Sequence, residues 1–124
     1  MPVASPGALK ILLIDDEALV REVVAEMLTF EGHTVLQAAG GREGLVRLEA
    51  EGPVDLVLTD LAMPDMTGWE VARAIKARWP HLPVGVITGT PEALLTQRGA
   101  PLDVVIFKPV TLDALREAIR RIRP

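Results

Sequence analysis

Residues 54–70 read VDLVLTDLAMPDMTGWE, and the order of residue types in this stretch decides the fold. Leu56 to Thr59 is a short, nearly continuous apolar run, the pattern of a strand covered on both faces, and it ends at Asp60. Gly68 opens a segment carrying Val71, Ala72, Ile75 and Trp79 at spacings near four, the period of a helix, and Pro80 stops it. A buried strand followed by a covering helix is the repeating unit of a parallel sheet.

The same alternation extends in both directions. Upstream, Leu9 to Ile14 is a strand interrupted only by Lys10 and closed by Asp15 and Asp16. Ala18 to Phe30 places Leu19, Val20, Val23, Val24, Met27 and Leu28 on one helical face, and Gly32 ends that helix. Thr34 to Ala38 is a second strand, after which Gly40 and Gly41 turn into a helix carrying Leu45 and Leu48 inward. Downstream, Val84 to Thr88 is the fourth strand and Val104 to Phe107 the fifth. Between them Pro91 suits the first turn of a brief helix over Glu92 to Arg98. Thr111 caps a last helix that buries Leu112, Leu115, Ile119 and Ile122. The expectation is an α/β fold, five strands alternating with five helices in a doubly wound parallel sheet with right-handed crossovers. Residues 1–8 are expected to form a flexible segment ahead of one domain over residues 9–123.

Composition bounds what such a domain does. The chain has 124 residues, enough for one core without staples, and 49% hydrophobic against 24% charged residues excludes a disordered chain. With no cysteine, a disulfide framework, a thiolate zinc site and a cysteine nucleophile are excluded, which fits a reducing cytoplasm. His33 and His81 are far apart and read as solvated or structural residues. A net charge of −4 argues against general nucleic-acid binding, and Arg116, Arg120, Arg121 and Arg123 read as cations at a helix C-terminus. No apolar run is long enough for membrane insertion.

Polar residues interrupt the pattern at one kind of place, the carboxyl ends of strands: Asp15 and Asp16, Asp60, Thr88, and Lys108 with Pro109. In strand order 2-1-3-4-5 these ends converge on one crevice, where open α/β sheets bind ligands. Three close carboxylates repel one another and call for a cation, and all-oxygen ligation with a partly open shell suits Mg²⁺. Lys108 and the Thr88 hydroxyl add a cation and a donor for negative oxygens around a nucleophilic carboxylate. Each residue also has a plain structural reading. Asp15 and Asp16 could cap the next helix, Asp60 could sit in a turn before Pro64, Thr88 could be a cap, and Lys108 could be a surface lysine.

The segments KILLIDDE, VDLVLTDLAMPDMTGWE, VGVITGT and VIFKP resemble, in order and spacing, the signature of two-component response regulator receiver domains, over roughly Leu9 to Ile122. The resemblance implies a flavodoxin-like fold. It also implies a phosphorelay switch that takes a phosphoryl group on Asp60 from a phosphohistidine of a sensor histidine kinase or phosphotransfer protein and then dephosphorylates itself, without being a conventional enzyme. Asp15, Asp16, Asp60 and the backbone carbonyl of Ala62 would bind Mg²⁺, with Mn²⁺ as a substitute. Thr88 matches the hydroxyl that moves towards the phosphoryl group, Lys108 the lysine that binds its oxygen, and Pro109 a proline often joined through a cis bond. The downstream target would be another protein, in the cytoplasm.

The chain also departs from that pattern. Val105 replaces the aromatic residue usual three positions before the lysine, and Phe107 shares its strand face but lies about 6–7 Å further along. The segment from Gly89 to Leu102 is short, as in receivers attached to hybrid histidine kinases. Two competing readings remain: a pseudo-receiver that binds partners without phosphorylation, and a Mg²⁺ phosphatase of the haloacid-dehalogenase type. The latter usually has an acid two residues after the nucleophile, where this chain has Ala62.

Overall fold

The structure, a computed structural model, describes residues 7–89 and 102–122. In chain order the elements are β1 (Lys10–Ile14), α1 (Ala18–Phe30), β2 (Thr34–Ala38), α2 (Gly41–Glu51), β3 (Leu56–Asp60), α3 (Gly68–Arg78), β4 (Val84–Thr88), β5 (Val104–Phe107) and α4 (Leu112–Ile122). All strand pairs are parallel, in the order β2-β1-β3-β4-β5. The chain therefore reverses its direction of winding at β1, and the crevice between the ends of β1 and β3 is the place where such a sheet holds a ligand.

Strand side chains alternate between the two faces, and each face has its own core. On one face Ile11, Leu13, Leu58 and Ile106 pack with Val24 and Leu28 of α1 and Leu115 and Ile119 of α4. On the other, Leu12, Ile14, Val57 and Val84 pack with Leu48 of α2 and Val71, Ala72 and Ile75 of α3. Leu28, Leu115 and Ile75 are fully buried, each contributing about 2 kcal/mol of transfer free energy. These layers make the strand ends a fixed platform.

Helix ends follow local chemistry. Thr67 and Glu70 form a capping box at α3, the Thr67 hydroxyl accepting from Glu70 N–H at 3.2 Å and the Glu70 carboxylate from Thr67 N–H at 2.9 Å. The Thr111 hydroxyl accepts from Ala114 N–H at 3.1 Å and so caps α4. After α1, Gly32 N–H donates to the Thr29 carbonyl and His33 N–H to that of Leu28, the paired bonds of a Schellman ending.

Several expectations need correction. Leu19 and Val23, assigned to the buried face of α1, are 79% and 56% exposed, whereas Ala25 is buried. The apolar arc of α1 is wider than the strip the sheet can cover, and Leu19, Val23 and Phe30 form its uncovered edge. The first strand begins at Lys10 rather than Leu9, β3 includes Asp60, and Trp79 is the C-cap of α3 rather than part of the helix. The helix expected over Glu92 to Arg98, with Pro91, lies outside the described residues, which hold the other four, and so do residues 1–6 of the segment expected to be flexible; neither expectation is contradicted. His33 has a structural task, its Nδ1 accepting from Leu9 N–H at 3.0 Å.

Candidate functional site

The β1–β3 register pairs Ile14 with Thr59, so the next residues along each strand, Asp15 and Asp60, lie side by side at the sheet's carboxyl edge. Asp15, Asp16 and Asp60 each offer a carboxylate oxygen, and the three atoms lie within 4.8 Å of one another. Asp15 and Asp60 are buried and Asp16 is exposed, so the cluster has a floor and an open side. Asp15 Oδ1 accepts from Glu17 N–H at 2.9 Å. The Arg21 guanidinium holds the Asp15 carbonyl at 2.7 Å and Gln37 Oε1 at 3.1 Å, fastening β1's end to β2.

Asp60 Oδ1 accepts from Leu61 N–H at 2.9 Å and lies 3.5 Å from Lys108 Nζ. Both contacts fall on one oxygen, and Oδ2 has no hydrogen bond among the described residues. Lys108 follows β5 and its N–H donates to the Thr88 carbonyl at 2.9 Å. The Lys108–Pro109 peptide is cis. Thr88, 3% exposed, ends β4. Ala62 is exposed in the loop between β3 and α3. That loop returns tightly, with Gly68 N–H donating to the Leu61 carbonyl at 2.8 Å. A Cβ at residue 68 would sit 2.6 Å from the Asp60 carbonyl oxygen, so this turn requires glycine.

Burial, first of all, pushes the carboxyl groups of Asp15 and Asp60 above their ordinary range. For Asp15 the Glu17 N–H works against this and the Asp60 charge adds to it; for Asp60 the Lys108 ammonium and then the Leu61 N–H oppose it. Partly dehydrated acids facing one another, with one ammonium beside them, make a pocket that gains from a further cation.

The family model of the response regulator receiver domain matches residues 11–120. The chain belongs to this family. The receiver domain is 32% identical to sporulation initiation phosphotransferase F of Bacillus subtilis, over 93% of this chain and 94% of that protein. It is 31% identical to the sensor protein EvgS of Escherichia coli K12 over 93% of its own length, but spans only 10% of that protein. Among solved structures, the response regulator TrrA of Thermotoga maritima in complex with Mg²⁺ and BeF matches with a TM-score of 0.82 at 28% identity, covering 91% of this chain and 97% of that one. Membership places the receiver domain in two-component phosphorelay signalling.

Three features of the receiver domain escape sequence reasoning. Glu17 Oε1 lies 3.9 Å from Lys108 Nζ, so the lysine stands between two acids; the third acid of the run Asp15-Asp16-Glu17 was the available signal. Phe107, not Val105, is the register partner of Thr88, while Val105 pairs with Val86. Both are partly exposed, at 37% for Val105 and 48% for Phe107. Asp65, whose carboxylate accepts backbone hydrogen bonds from α2, had no signal in the sequence.

Proposed function

We propose that this receiver domain is a Mg²⁺-dependent phosphorelay switch in which Asp60 is the phosphoacceptor. The observation that carries the reading is the meeting of three carboxylates with the Lys108 ammonium at the carboxyl edge of a parallel sheet. The donor set fits the ion: every ligand atom offered is a hard oxygen, and among the described residues no nitrogen or sulfur ligand joins the cluster. Asp15, Asp16, Asp60 and the Ala62 carbonyl would hold it. When bound, Mg²⁺ supplies charge neutralisation and a contact for a phosphoryl oxygen. Mn²⁺ serves as a substitute.

The chain's own residues do the rest. Leu61 N–H and Lys108 hold Asp60 Oδ1, leaving Oδ2 as the oxygen that forms the new bond to phosphorus. The phosphorus–nitrogen bond of a donor phosphohistidine breaks, and its electron pair stays on the nitrogen. Lys108 attracts a phosphoryl oxygen, and Thr88 donates its hydroxyl to another. Water attack on the aspartyl phosphate returns the carboxylate and inorganic phosphate. The donor is a sensor histidine kinase or a phosphotransfer protein, and the reader a downstream protein in the cytoplasm. No described helix is long and apolar enough to cross a membrane.

Incubation with acetyl phosphate and Mg²⁺ is expected to add one phosphoryl group by intact-mass analysis. Chelation of the metal or Asp60→Asn abolishes the adduct. An adduct that persists in Asp60→Asn moves the site to another residue.

A further inference from the structure

We infer that Asp65 is a positioning residue for the metal site: its carboxylate fastens the outer end of the β3–α3 loop to the N-terminus of α2 and thereby holds the Ala62 carbonyl where Mg²⁺ binds. The inference rests on the metal reading given above.

α2 starts without a cap of its own, because its N-cap residue is Gly40 and makes no side-chain hydrogen bond. The missing acceptor comes from elsewhere in the chain. Asp65 accepts from Gly41 N–H at 3.2 Å with Oδ1 and from Arg42 N–H at 3.0 Å with Oδ2. Its Oδ1 also takes the N–H of Met66 at 2.9 Å, so one carboxylate closes a helix end and a loop turn together. A negative group suits the positive end of the helix dipole. The Arg42 N–H foremost, then those of Gly41 and Met66, hold the Asp65 carboxyl below its ordinary range despite an exposed position.

The contact is close as well as polar. A Cβ at residue 40 would lie 3.0 Å from both Asp65 carboxylate oxygens, and one at residue 41 would lie 2.8 Å from Met66 Cβ. These two glycines are thus more than a turn; they let the loop come down onto the helix. Within the loop, the inner end is pinned by Leu61, through its N–H to Asp60 and its carbonyl to Gly68. The outer end is pinned to α2 by Asp65. Between them Met63 is buried, whereas Ala62 is exposed and has no hydrogen bond among the described residues. The direction of the Ala62 carbonyl is therefore set by the anchors on either side. A backbone ligand is only as well placed as its peptide, and loosening a group that orients a ligand weakens metal binding.

Mg²⁺ titrated into the full chain by calorimetry tests this, alongside metal-free thermal melts. Asp65→Ala is expected to raise the half-saturating Mg²⁺ concentration about tenfold, while acetyl phosphate labelling at saturating Mg²⁺ keeps nearly the wild-type rate. Asp65→Asn keeps one acceptor oxygen but turns its amide NH₂ toward N–H groups that the other oxygen served, so it recovers only part of the affinity. Gly40→Ala presses on the Asp65 carboxylate from α2 without altering the loop, and weakens Mg²⁺ binding in the same direction. An Asp65→Ala protein that melts earlier yet binds Mg²⁺ with the wild-type midpoint makes Asp65 a plain helix cap and overturns the inference. Should Asp65→Ala fail to fold, wild-type Mg²⁺ midpoints in both Asp65→Asn and a Gly40→Ala protein of altered melting temperature overturn it instead. A wild-type chain that takes up no Mg²⁺ removes the metal reading itself, and the inference with it.

Discussion

The acidic cluster is a liability until it is filled, and single residues expose this. Asp16 is the exposed member, adding charge next to two buried acids. Asp16→Ala is therefore expected to stabilise the metal-free protein by about 1 kcal/mol after allowance for solvent screening, and to weaken Mg²⁺ binding. Urea melts with and without Mg²⁺ read both effects; a large loss of metal-free stability with intact metal binding would instead assign the acidic pair to helix capping. The pH dependence has a definite sign. Asp15 and Asp60 titrate above their ordinary value of 3.8 in the folded, metal-free protein. Their contribution to stability is complete below that value and is lost as pH rises through the folded pKa. Asp60→Asn should flatten this decline in denaturation series from acidic to neutral pH, and an equally steep decline in that variant assigns it to other groups.

Secondary-structure elements are joined by contacts of very different worth. Arg116 of α4 forms a two-pronged ion pair with Glu31 at the end of α1, its Nη2 lying 3.0 Å from Glu31 Oε2 and its Nε meeting Oε1. The hydrogen bond from Arg116 holds the Glu31 carboxyl below its ordinary value of 4.5. For a depressed carboxyl the sign reverses: its stabilisation is present above the ordinary value and is lost as pH falls through the folded pKa. Glu31→Gln should remove part of the acid sensitivity of the wild-type melting temperature and leave Mg²⁺ binding unchanged; a retained acid slope refutes this. The Thr67 capping box acts independently at the start of α3. Thr67→Ala is expected to cost about 1 kcal/mol in chemical denaturation, and a loss near zero would mean that the packing of Trp69 and Val71 alone sets that helix start. At the opposite edge of the sheet, Lys76 links the Leu82 carbonyl at 2.7 Å to Asp103 at 2.9 Å, and Asp103 accepts from Val84 N–H. That clip keeps the starts of β4 and β5 aligned, and with them the Thr88–Phe107 register at the site.

At the scale of the whole molecule, phosphorylation has to shift a population by contacts that exist only with the phosphoryl group present. On the proposed reading, the groups among the described residues placed to make them are Thr88, Lys108 and the β3–α3 loop. Val105 is stiff at χ1 and carries no ring to bury, so little of the response can pass through it. Beryllofluoride with Mg²⁺ should therefore shift NMR resonances most in Asp60–Thr67 and at Thr88 and Gly89, and less at Val105. Shifts centred on Val105 with Thr88 silent would reverse that assignment. Since Phe107 neighbours Thr88 in the β4–β5 register, its ring resonances are expected to shift if the Thr88 hydroxyl moves.

Much of this protein is legible in its sequence, for a physical reason that differs from element to element. The strands are short apolar runs and the helices carry a 3.6-residue period, both local signals, and parallel sheets with right-handed crossovers leave little choice of topology. Asp15, Asp16, Asp60, Thr88 and Lys108 stand out because each breaks an apolar run at a carboxyl end, and the fold gathers those ends at one edge. Tertiary structure alone decided which part of an apolar arc is covered, leaving Leu19 and Val23 in solvent while Ala25 is buried. It also decided that Phe107 rather than Val105 stands beside Thr88, which depends on strand register. The pairing of Glu31 with Arg116, 85 residues apart, and the capping of α2 by Asp65, 23 and 24 residues beyond the N–H groups it accepts from, have no periodic trace. Such contacts join elements whose own patterns are complete without them, so only the packed chain reveals that they meet.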